Sequence, residues 1–403
     1  MRVLFSGGGT GGHLYPTLSL AQALLRGGGR EGVCKPTQSE GAPVGNGSGS
    51  LHAVLFVGAQ GNIDEHLLTR DDVPYKTVSS KPLSGLSNVR AALNLAGNAA
   101  ALVQAVPIVS HFRPDVIVGS GGYACAPAIL AGAMLQSSGA LPNLRVMLME
   151  PNVTPGLANR RLARYANQVW GAYADSDTSK HFGEKFVLTG IPVRADLYTP
   201  MSKAQARQSL GLDPNRFTVL IFGGSQGARS INVATSGMVA RRRLPGDWQI
   251  LHLTGERDYE WMLAERKTEP NENRYMAKAY LDNMALAYWA ADLAVSRSGA
   301  STLAEICTVG LPAILIPYPH SSENHQRANA KYFVDRGAAH TMQDGALTPD
   351  SLYWMLVDVA DPEKLSAMTD KLRRLAHPQA VETMLNRLLD NHNVVSRIHS
   401  REM

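Results

Sequence analysis

The stretch GGGTGGHLYP, residues 7–16, decides the fold of this chain. It follows a short apolar run at residues 3–5 that predicts a first β-strand, and apolar residues at helical spacing follow it from Leu14 to Leu25. The glycines allow positive φ and leave room for a ligand, while the N-terminus of the following helix offers N–H groups. Strand, glycine turn and helix in this order predict a site for an anionic or polar ligand.

The same glycines also match the dinucleotide fingerprint GxGxxG at Gly7, Gly9 and Gly12. The match is weak evidence, because a run so rich in glycine fits many templates. A dinucleotide site also needs an acidic residue at the tip of the second strand, where this chain has Gly58-Ala59-Gln60. The sequence therefore disfavours a nicotinamide or flavin cofactor.

Length and composition indicate a globular chain of two domains. Its 403 residues exceed the usual size of one compact core, and its mean hydropathy is −0.13. A formal net charge of +5 is mild at this length and does not argue for nucleic-acid binding. Cys34, Cys125 and Cys307 are widely spaced, which fits a reducing cytoplasm. No apolar run is long enough to predict a signal peptide or a membrane span.

The second half of the chain repeats the pattern of the first. Residues 217–222 form an apolar run that predicts a strand, and residues 223–229 are its glycine turn. Two tandem doubly wound α/β domains are the simplest arrangement that explains this repeat. A predicted strand at 187–189 and a linker at 190–194 place the boundary between the domains.

We therefore predict an N-terminal domain of residues 1–190 and a C-terminal domain of residues 191–375. Apolar residues at helical spacing predict a final helix within 376–403, and we expect it to pack back on the N-terminal domain. Residues 29–50 are rich in glycine, serine and proline, so we expect a flexible insertion there.

Residues 81–112 are mostly apolar, with interruptions at Asn94, Asn98, Gln104 and Pro107. Four apolar residues in this region share one helical face: Leu86, Val89, Leu93 and Ala96. The ordinary interpretation is an amphipathic helix that covers the sheet. The alternative is a surface that touches a membrane or a lipid substrate.

His13 is the one ionisable side chain in the first glycine turn. It could simply cap its helix or pack against it. The positive end of a helix disfavours the charged imidazolium, however, so the ring should be neutral and able to accept a proton near pH 7. These are the properties of a general base.

Gly299 precedes a predicted helix whose first turns carry Ser301, Thr302 and Glu305. N–H groups and hydroxyls there can hold a diphosphate without a metal. The Glu305 carboxylate can accept hydrogen bonds from both hydroxyls of a ribose. The alternative is a capping box, in which Ser301 or Thr302 pairs with Glu305 at the helix start. The spacing alone does not separate the two.

Asp175 and Asp177 form a D-x-D sequence, which many sugar transferases use to hold a divalent metal. They lie in a polar stretch with no glycine turn beside it, so we interpret them as part of a surface loop. His320 and His325 lie five residues apart with no third partner in the sequence, which also favours a polar loop. We therefore predict no metal site.

Several motifs together resemble one family: the membrane-associated N-acetylglucosamine transferases of glycosyltransferase family 28, which convert lipid I into lipid II. The motifs GGTGGH, GxGGY, E-x-N and GGSQGAR are matched at residues 8–13, 119–123, 150–152 and 223–229. RSGAxTxxE and HQxxNA are matched at 297–305 and 325–330, an FIDDM-like segment at 280–284, and the GNPVR linker at 190–194 with Ile191 in place of Asn. The matches run in order through most of the chain.

The resemblance implies a GT-B fold, in which two Rossmann-like doubly wound domains face each other across a cleft. It implies that the C-terminal domain binds UDP-N-acetylglucosamine, with Ser225 at the diphosphate, the backbone of Leu281 at uracil and Glu305 at the ribose. The remaining implied donor contacts are Ala300, Ser301, Thr302, Leu303 and Ala304, Gln326 at the N-acetylglucosamine, and Thr10, Gly11, Gly12, Asn152 and Arg194 from the N-terminal side.

The resemblance also implies an inverting reaction that uses neither a metal nor a cofactor. The muramyl 4-hydroxyl of lipid I would attack the anomeric carbon of the donor, with His13 as the base and Glu150 as the alternative. The N-terminal domain would bind the lipid-linked acceptor, with an apolar face near residues 83–96 on the membrane. The resemblance thus implies a peripheral protein on the cytoplasmic side of the bacterial inner membrane, with no nucleic-acid partner.

Three other functions stay open on the sequence. A transferase of the same fold could use another lipid acceptor, such as diacylglycerol, and a UDP-N-acetylglucosamine epimerase would share the donor site. A non-catalytic module that binds a nucleotide sugar is the alternative from a different class. His13 argues against that module, because binding alone needs no base in the acceptor loop.

Overall fold

A computed structural model describes residues 1–8, 11–26, 52–60, 68–69, 71–81, 88–224, 226–241, 244–265 and 274–399. The chain divides into two compact units. Met1–Val193 and Pro378–Met403 form the N-terminal unit, and Arg194–His377 forms the C-terminal unit. The insertion predicted at residues 29–50 lies outside the described residues.

The N-terminal unit contains one parallel sheet. Its strands are β1 (Arg2–Ser6), β2 (Ala53–Ala59), β3 (Tyr75–Val78), β4 (Val116–Gly119), β5 (Arg145–Glu150), β6 (Gln168–Gly171) and β7 (Phe186–Leu188). The strand order is β3-β2-β1-β4-β5-β6-β7, and Phe5 pairs with Phe56 on one side and with Val118 on the other. The order changes direction between β1 and β4, and open α/β sheets bind ligands at such a switch point.

Both faces of this sheet are buried. Along β1, Val3 and Phe5 belong to one apolar cluster and Leu4 to another, as expected when successive side chains point to opposite faces. The helices that follow the strands are α1 (Gly11–Leu25), α2 (Asn88–Phe112), α3 (Ala126–Ser137), α4 (Leu157–Leu162) and α5 (Asp177–Phe182). The unit is therefore doubly wound, as the sequence predicted.

Helix α2 is one continuous helix of 25 residues, so its polar residues and Pro107 interrupt the apolar pattern without breaking the helix. The carbonyl of Val103 loses its helical partner at Pro107, but Val103 is 72% exposed and water can reach it. The polar residues have a second use, because Asn98 and Gln104 accept hydrogen bonds from the backbone N–H groups of Lys81 and Ser79. Buried residues four apart, such as Ala101 and Ala105, hold the helix on the sheet.

The C-terminal unit repeats this plan with six parallel strands. They are β8 (Phe217–Phe222), β9 (Trp248–Leu253), β10 (Tyr275–Lys278), β11 (Leu293–Ser296), β12 (Ala313–Leu315) and β13 (His340–Thr341). The strand order β10-β9-β8-β11-β12-β13 places the switch point between β8 and β11. Its helices are α6 (Lys203–Leu210), α7 (Arg229–Arg241), α8 (Glu256–Glu265), α9 (Met284–Ala290), α10 (Ala300–Val309), α11 (His325–Asp335), α12 (Pro349–Val359) and α13 (Pro362–Leu375).

The last helix, α14 (Ala380–His399), belongs to the N-terminal unit although it follows the C-terminal one in the chain. Met384, Leu385 and Leu388 are buried in one cluster with Leu14 and Leu18 of α1. The guanidinium of Arg145 donates to the carbonyl oxygen of Leu388 at 2.8 Å. Apolar packing and one partly buried hydrogen bond therefore hold this helix against α1 and the N-terminal sheet. Among the described residues, no helix is both long and apolar enough to cross a membrane.

Candidate active site

The first glycine turn joins β1 to α1 at the switch point of the N-terminal sheet. Gly8 has a φ of 114°, a conformation that favours glycine, and α1 begins at Gly11. Gly11, Gly12 and His13 are therefore the first three residues of the helix. Thr10 and the side chain of His13 lie outside what the structure describes, so their roles stay predictions.

The second glycine turn follows β4, the neighbouring strand at the switch point. Gly121 and Gly122 have φ values of 85° and 73°. A Cβ atom on Gly121 would lie 3.0 Å from Nδ2 of Asn159, which is a tight contact. Glycine at this position therefore lets the turn pack directly against the buried amide of Asn159.

Glu150 is the last residue of β5 and is only 1% exposed. Its Oε1 accepts hydrogen bonds from the backbone N–H and the side-chain amide of Asn152, each at 3.0 Å. Its Oε2 accepts from the N–H of Gly156 at 2.8 Å and from Nδ2 of Asn159 at 2.9 Å. Four donors compensate the buried carboxylate and fix the loop that follows β5.

This environment favours a positioning role for Glu150. A general base must present a lone pair to the hydroxyl that it deprotonates, whereas both oxygens of Glu150 already accept two hydrogen bonds each. Their effect is to fix the side chain of Asn152, which is half-buried. Sequence reasoning found Glu150 and Asn152 but missed Asn159, because no motif marks a residue that acts from the next helix.

The D-x-D sequence has a structural explanation. Ser176, between Asp175 and Asp177, forms a capping box with Ser179 at the start of α5. Asp177 accepts a hydrogen bond from the hydroxyl of Thr154 at 3.1 Å. Within the described part of the chain, no group of three or more His, Cys, Asp and Glu side chains could hold a metal ion.

In the C-terminal unit, the glycine turn after β8 packs against the turn after β9. A Cβ atom on Gly223 would lie 2.3 Å from the backbone nitrogen of Ala228, and one on Gly227 would lie 2.2 Å from the carbonyl oxygen of Thr254. No side chain fits at these two positions, so the turn can adopt this shape only with glycine there. Ser225, inside the turn, lies outside the described residues, and its contact with a diphosphate stays a prediction.

A buried chain of hydrogen bonds lies behind this turn. The hydroxyl of Tyr275 lies 2.7 Å from Nδ1 of His252, and Nε2 of His252 lies 3.0 Å from Oδ1 of Asn232. Since an amide oxygen only accepts, His252 carries its proton on Nε2. Nδ2 of Asn232 donates to the carbonyl oxygen of Thr254 and to Asp258. Burial lowers the pKa of His252 to about 3, so the ring is neutral at physiological pH.

The same network reaches the end of the glycine turn. Asp258 accepts a hydrogen bond from Arg229 at 3.2 Å, and the Arg229 guanidinium lies 3.6 Å from the centroid of the Trp261 ring. Asn232 therefore holds the turn at two points, through the carbonyl of Thr254 and through the carboxylate that binds Arg229. Sequence reasoning missed both Asn232 and His252, because they lie outside the matched motifs.

Helix α10 begins after Gly299, in the turn that follows β11. Strand β11 is the neighbour of β8 at the switch point. Gly299 is its N-cap in an extended conformation, and glycine has no side chain that could cap the helix. Glu305 does not fold back towards the start of the helix, because its carboxylate contacts Arg194 and Tyr288 instead. The capping-box alternative is therefore wrong. The positive end of α10, at Ala300, Ser301 and Thr302, keeps the geometry that suits an anion.

Glu305 is 8% exposed and lies between two donors. Its Oε1 accepts from Nε of Arg194 at 2.8 Å, and its Oε2 accepts from the hydroxyl of Tyr288 at 2.7 Å. Burial, and then the nearby Glu305 carboxylate, raises the pKa of Tyr288 well above its usual range, so the phenol is a donor at neutral pH. Arg194, the first residue of the C-terminal unit, is thereby fixed on α10.

Two other predicted donor contacts lie in the C-terminal unit. Leu281 is half-buried just before α9, whose N-cap Asn283 accepts a hydrogen bond from the N–H of Leu286 at 3.4 Å. Gln326 lies at the start of α11, and its carbonyl oxygen accepts from the hydroxyl of Ser298 at 2.7 Å. Its Oε1 accepts from the N–H of Tyr318 at 2.9 Å. The structure thus brings Gln326 to the turn that starts α10.

Family models match both halves of the chain. The model of the glycosyltransferase family 28 C-terminal domain matches residues 218–384, and the model of its N-terminal domain matches residues 50–170. A relative from Desulfitobacterium hafniense is 35% identical over 398 residues, which cover 97% of this chain and 99% of the relative. The chain belongs to glycosyltransferase family 28. It is therefore a glycosyltransferase, and the predictions of the family and of an enzyme are confirmed.

Another relative of this family-28 chain comes from Desulforamulus reducens. It is 34% identical over 392 residues, which cover 96% of this chain and 97% of the relative. Both relatives carry the name UDP-N-acetylglucosamine--N-acetylmuramyl-(pentapeptide) pyrophosphoryl-undecaprenol N-acetylglucosamine transferase.

Solved structures share the fold of this family-28 chain. The crystal structure of Acinetobacter baumannii MurG superimposes with a TM-score of 0.69 at 24% identity and covers 96% of this chain and 99% of that one. The S. aureus MnaA–UDP co-structure has a TM-score of 0.65 at 12% identity and covers 98% of both chains. The prediction of two Rossmann-like α/β domains is confirmed.

Proposed function

We propose that this chain transfers N-acetylglucosamine from UDP-N-acetylglucosamine to the muramyl 4-hydroxyl of lipid I, which forms lipid II for peptidoglycan synthesis. The observation that carries the proposal is the full-length similarity to relatives that are named for this reaction. Two of the matched motifs, residues 223–229 and 297–305, follow β8 and β11, the strands on either side of the C-terminal switch point, and this supports the same conclusion.

The donor would bind the C-terminal unit. The diphosphate would lie at the start of α10, where the helix dipole and the residues Ala300 to Ala304 favour negative charge. Glu305 would accept the ribose hydroxyls, and the backbone of Leu281 would hold uracil. Gln326, beside the turn that starts α10, would contact the N-acetylglucosamine, and Ser225 would reach the diphosphate from the other glycine turn.

His13 would be the base that deprotonates the muramyl 4-hydroxyl. Its place in the first turn of α1 supports this role, because the positive end of a helix disfavours a second positive charge. Glu150 would act indirectly, by fixing Asn152. Thr10, Gly11, Gly12, Asn152 and Arg194 are the other proposed donor contacts, of which Arg194 is already fixed by Glu305.

The departing UDP would keep the electron pair of the broken bond between the anomeric carbon and the diphosphate oxygen, and would thereby gain negative charge. One general base accounts for about 10²–10⁴-fold in rate, so other contributions are needed for an efficient enzyme. N–H groups and a helix dipole that are fixed before the reaction can stabilise the leaving diphosphate. The start of α10 supplies such a dipole, and the buried network of Asn232 and His252 holds the neighbouring glycine turn.

The N-terminal unit, residues 1–193 with the final helix, would bind the lipid-linked acceptor. The undecaprenol in the names of the relatives supports a peripheral location on the cytoplasmic side of the bacterial inner membrane. The apolar face predicted near residues 83–96 would contact the lipid. Residues 82–87 and most side chains of 88–96 lie outside the described part of the chain, so this contact stays a prediction.

The acceptor can be tested by release of UDP from UDP-N-acetylglucosamine. We expect release with a lipid I analogue, and background release with diacylglycerol or with no acceptor. Release with diacylglycerol alone would indicate another lipid acceptor. Conversion of the donor sugar with no acceptor present would indicate an epimerase.

A further inference from the structure

The hydroxyl of Tyr288 is buried against the Glu305 carboxylate. Tyr288 is 2% exposed and its hydroxyl donates to Oε2 of Glu305 at 2.7 Å. The ring packs edge-to-face on Phe222 of β8, with 5.8 Å between centroids. Because the ring and the hydroxyl are both enclosed, Tyr288 acts on a bound molecule only through Glu305.

Among the described residues, Glu305 has one donor on each oxygen. Nε of Arg194 binds Oε1 and Tyr288 binds Oε2, so the plane of the carboxylate is fixed from two directions. A carboxylate oxygen accepts more than one hydrogen bond, and each oxygen of Glu305 therefore retains acceptor capacity. Two neighbouring hydroxyls of a diol can each donate a hydrogen bond to one oxygen of a carboxylate that is held in a fixed orientation.

Tyr288 also connects two parts of the proposed donor site. It lies on α9, which begins directly after the segment of Leu281 that would hold uracil. Its hydrogen bond ends on α10, whose first turns would hold the diphosphate and the ribose. One buried hydroxyl thus sets the position of the carboxylate relative to the segment that would bind the base.

We propose that Tyr288 is a positioning residue that, together with Arg194, orients Glu305 for the two ribose hydroxyls and so selects ribonucleotides. This inference rests on the proposed function, since it assumes that the site binds a uridine diphosphate. Tyr288 contributes to discrimination between sugars with and without these hydroxyls, and contributes little to recognition of the diphosphate.

The test is the affinity ratio between UDP and 2′,3′-dideoxy-UDP, measured by titration calorimetry on the full chain. Wild type should prefer UDP by about 10-fold to 100-fold, because the hydroxyls bind a charged acceptor. Tyr288→Phe should lower that ratio about threefold to tenfold and leave the affinity for dideoxy-UDP nearly unchanged. A merely structural role would weaken both ligands equally, and an unchanged or larger ratio would overturn the proposal.

Tyr275→Phe is the matched control. Tyr275 is also buried in the C-terminal unit and its hydroxyl also makes a 2.7 Å hydrogen bond, but to His252. Its removal should leave the UDP to dideoxy-UDP ratio at the wild-type value. A ratio that falls as far as in Tyr288→Phe would overturn the proposal, because loss of any buried phenol would then explain the effect.

Two further results separate this inference from the proposed function. A wild type that binds neither nucleotide would overturn both, whereas a wild type that prefers UDP and a Tyr288→Phe variant with the same ratio would overturn the inference alone. If Tyr288→Phe fails to fold, Arg194→Lys is the second test. It removes the donor to Oε1 of Glu305, because lysine has no donor at the Nε position, and so perturbs the orientation of the same carboxylate. A lower ratio supports the proposal, and an unchanged ratio overturns it.

Discussion

Replacing Glu150 by Gln should destabilise the N-terminal unit and leave the pH dependence of the reaction intact. The four donors around Glu150 come from Asn152, Gly156 and Asn159. A glutamine amide places an NH₂ group against two of these donors in either orientation. The Asn159 amide could turn to accept from it, but would then lose its hydrogen bond to the carbonyl oxygen of Met149 at 2.9 Å.

The expected cost is about 2–4 kcal/mol, since two buried hydrogen bonds are lost and one or two donors have no acceptor. For a unit of this size the midpoint of thermal unfolding should fall on the order of 10 °C. The matched control is Glu184→Gln, which changes an exposed carboxylate of the same unit and should leave the midpoint unchanged. The assays are differential scanning calorimetry and the pH profile of kcat/KM for transfer.

The two roles of Glu150 give different results. If Glu150 is a positioning residue, the Gln variant should have a lower kcat/KM but a pH profile of wild-type shape, because the proposed base, His13, is unchanged. A variant with a wild-type unfolding midpoint, a rate about 10²–10⁴-fold lower and no acidic limb would refute this reasoning and make Glu150 the base.

Three further perturbations test other parts of the site. His13→Ala should lower kcat about 10²–10⁴-fold while the affinity for UDP, measured by calorimetry, is retained. Glu305→Ala should weaken UDP by about 1–3 kcal/mol in the same titration, because the ribose hydroxyls lose their acceptor. His252 has a pKa of about 3 in the folded chain, below its unfolded value of about 6.5, so the unfolded state binds the proton first as the pH falls. Its contribution to stability is therefore present above about pH 6.5 and should decrease by about 2 kcal/mol between pH 7 and pH 5. Denaturant unfolding at several pH values should show this slope in wild type and a shallower one in His252→Gln.

Each of these predictions has a result that contradicts it. Near-normal turnover in His13→Ala would remove His13 as the base. Unchanged UDP affinity in Glu305→Ala would remove the ribose assignment. Equal pH slopes for wild type and His252→Gln would mean that the neutral, buried state of His252 does not account for the acid sensitivity of the C-terminal unit.

The strands and glycine turns at the two switch points could be predicted from the sequence, because local signals determine them. A short apolar run, glycines and an amphipathic helix follow one another at residues 3–25 and again from residue 217. Each of these signals lies within a few residues of the element that it specifies. Strands as short as β6 and β10 give no comparable signal, and they are stabilised by pairing with a neighbouring strand.

The partners of the site residues could not be predicted in the same way. Spacing left Glu305 open between a capping box and a ribose acceptor. The contacts with Arg194 and Tyr288, which are distant in sequence from it, exclude the capping box, and the ribose contact stays a prediction. Pro107 lies inside α2, where the packing of the helix on the sheet outweighs the loss of one backbone hydrogen bond. Long-range contacts of this kind depend on the complete fold.

The most direct test of the central claim is transfer of labelled N-acetylglucosamine from its UDP donor to a lipid I analogue in the presence of EDTA. The account predicts a lipid-linked disaccharide product, identified by mass and by the configuration of the new glycosidic bond. Product only after addition of magnesium would contradict the metal-free reaction and return attention to Asp175 and Asp177. No product under either condition, by a chain that binds UDP-N-acetylglucosamine, would contradict the choice of lipid I as the acceptor.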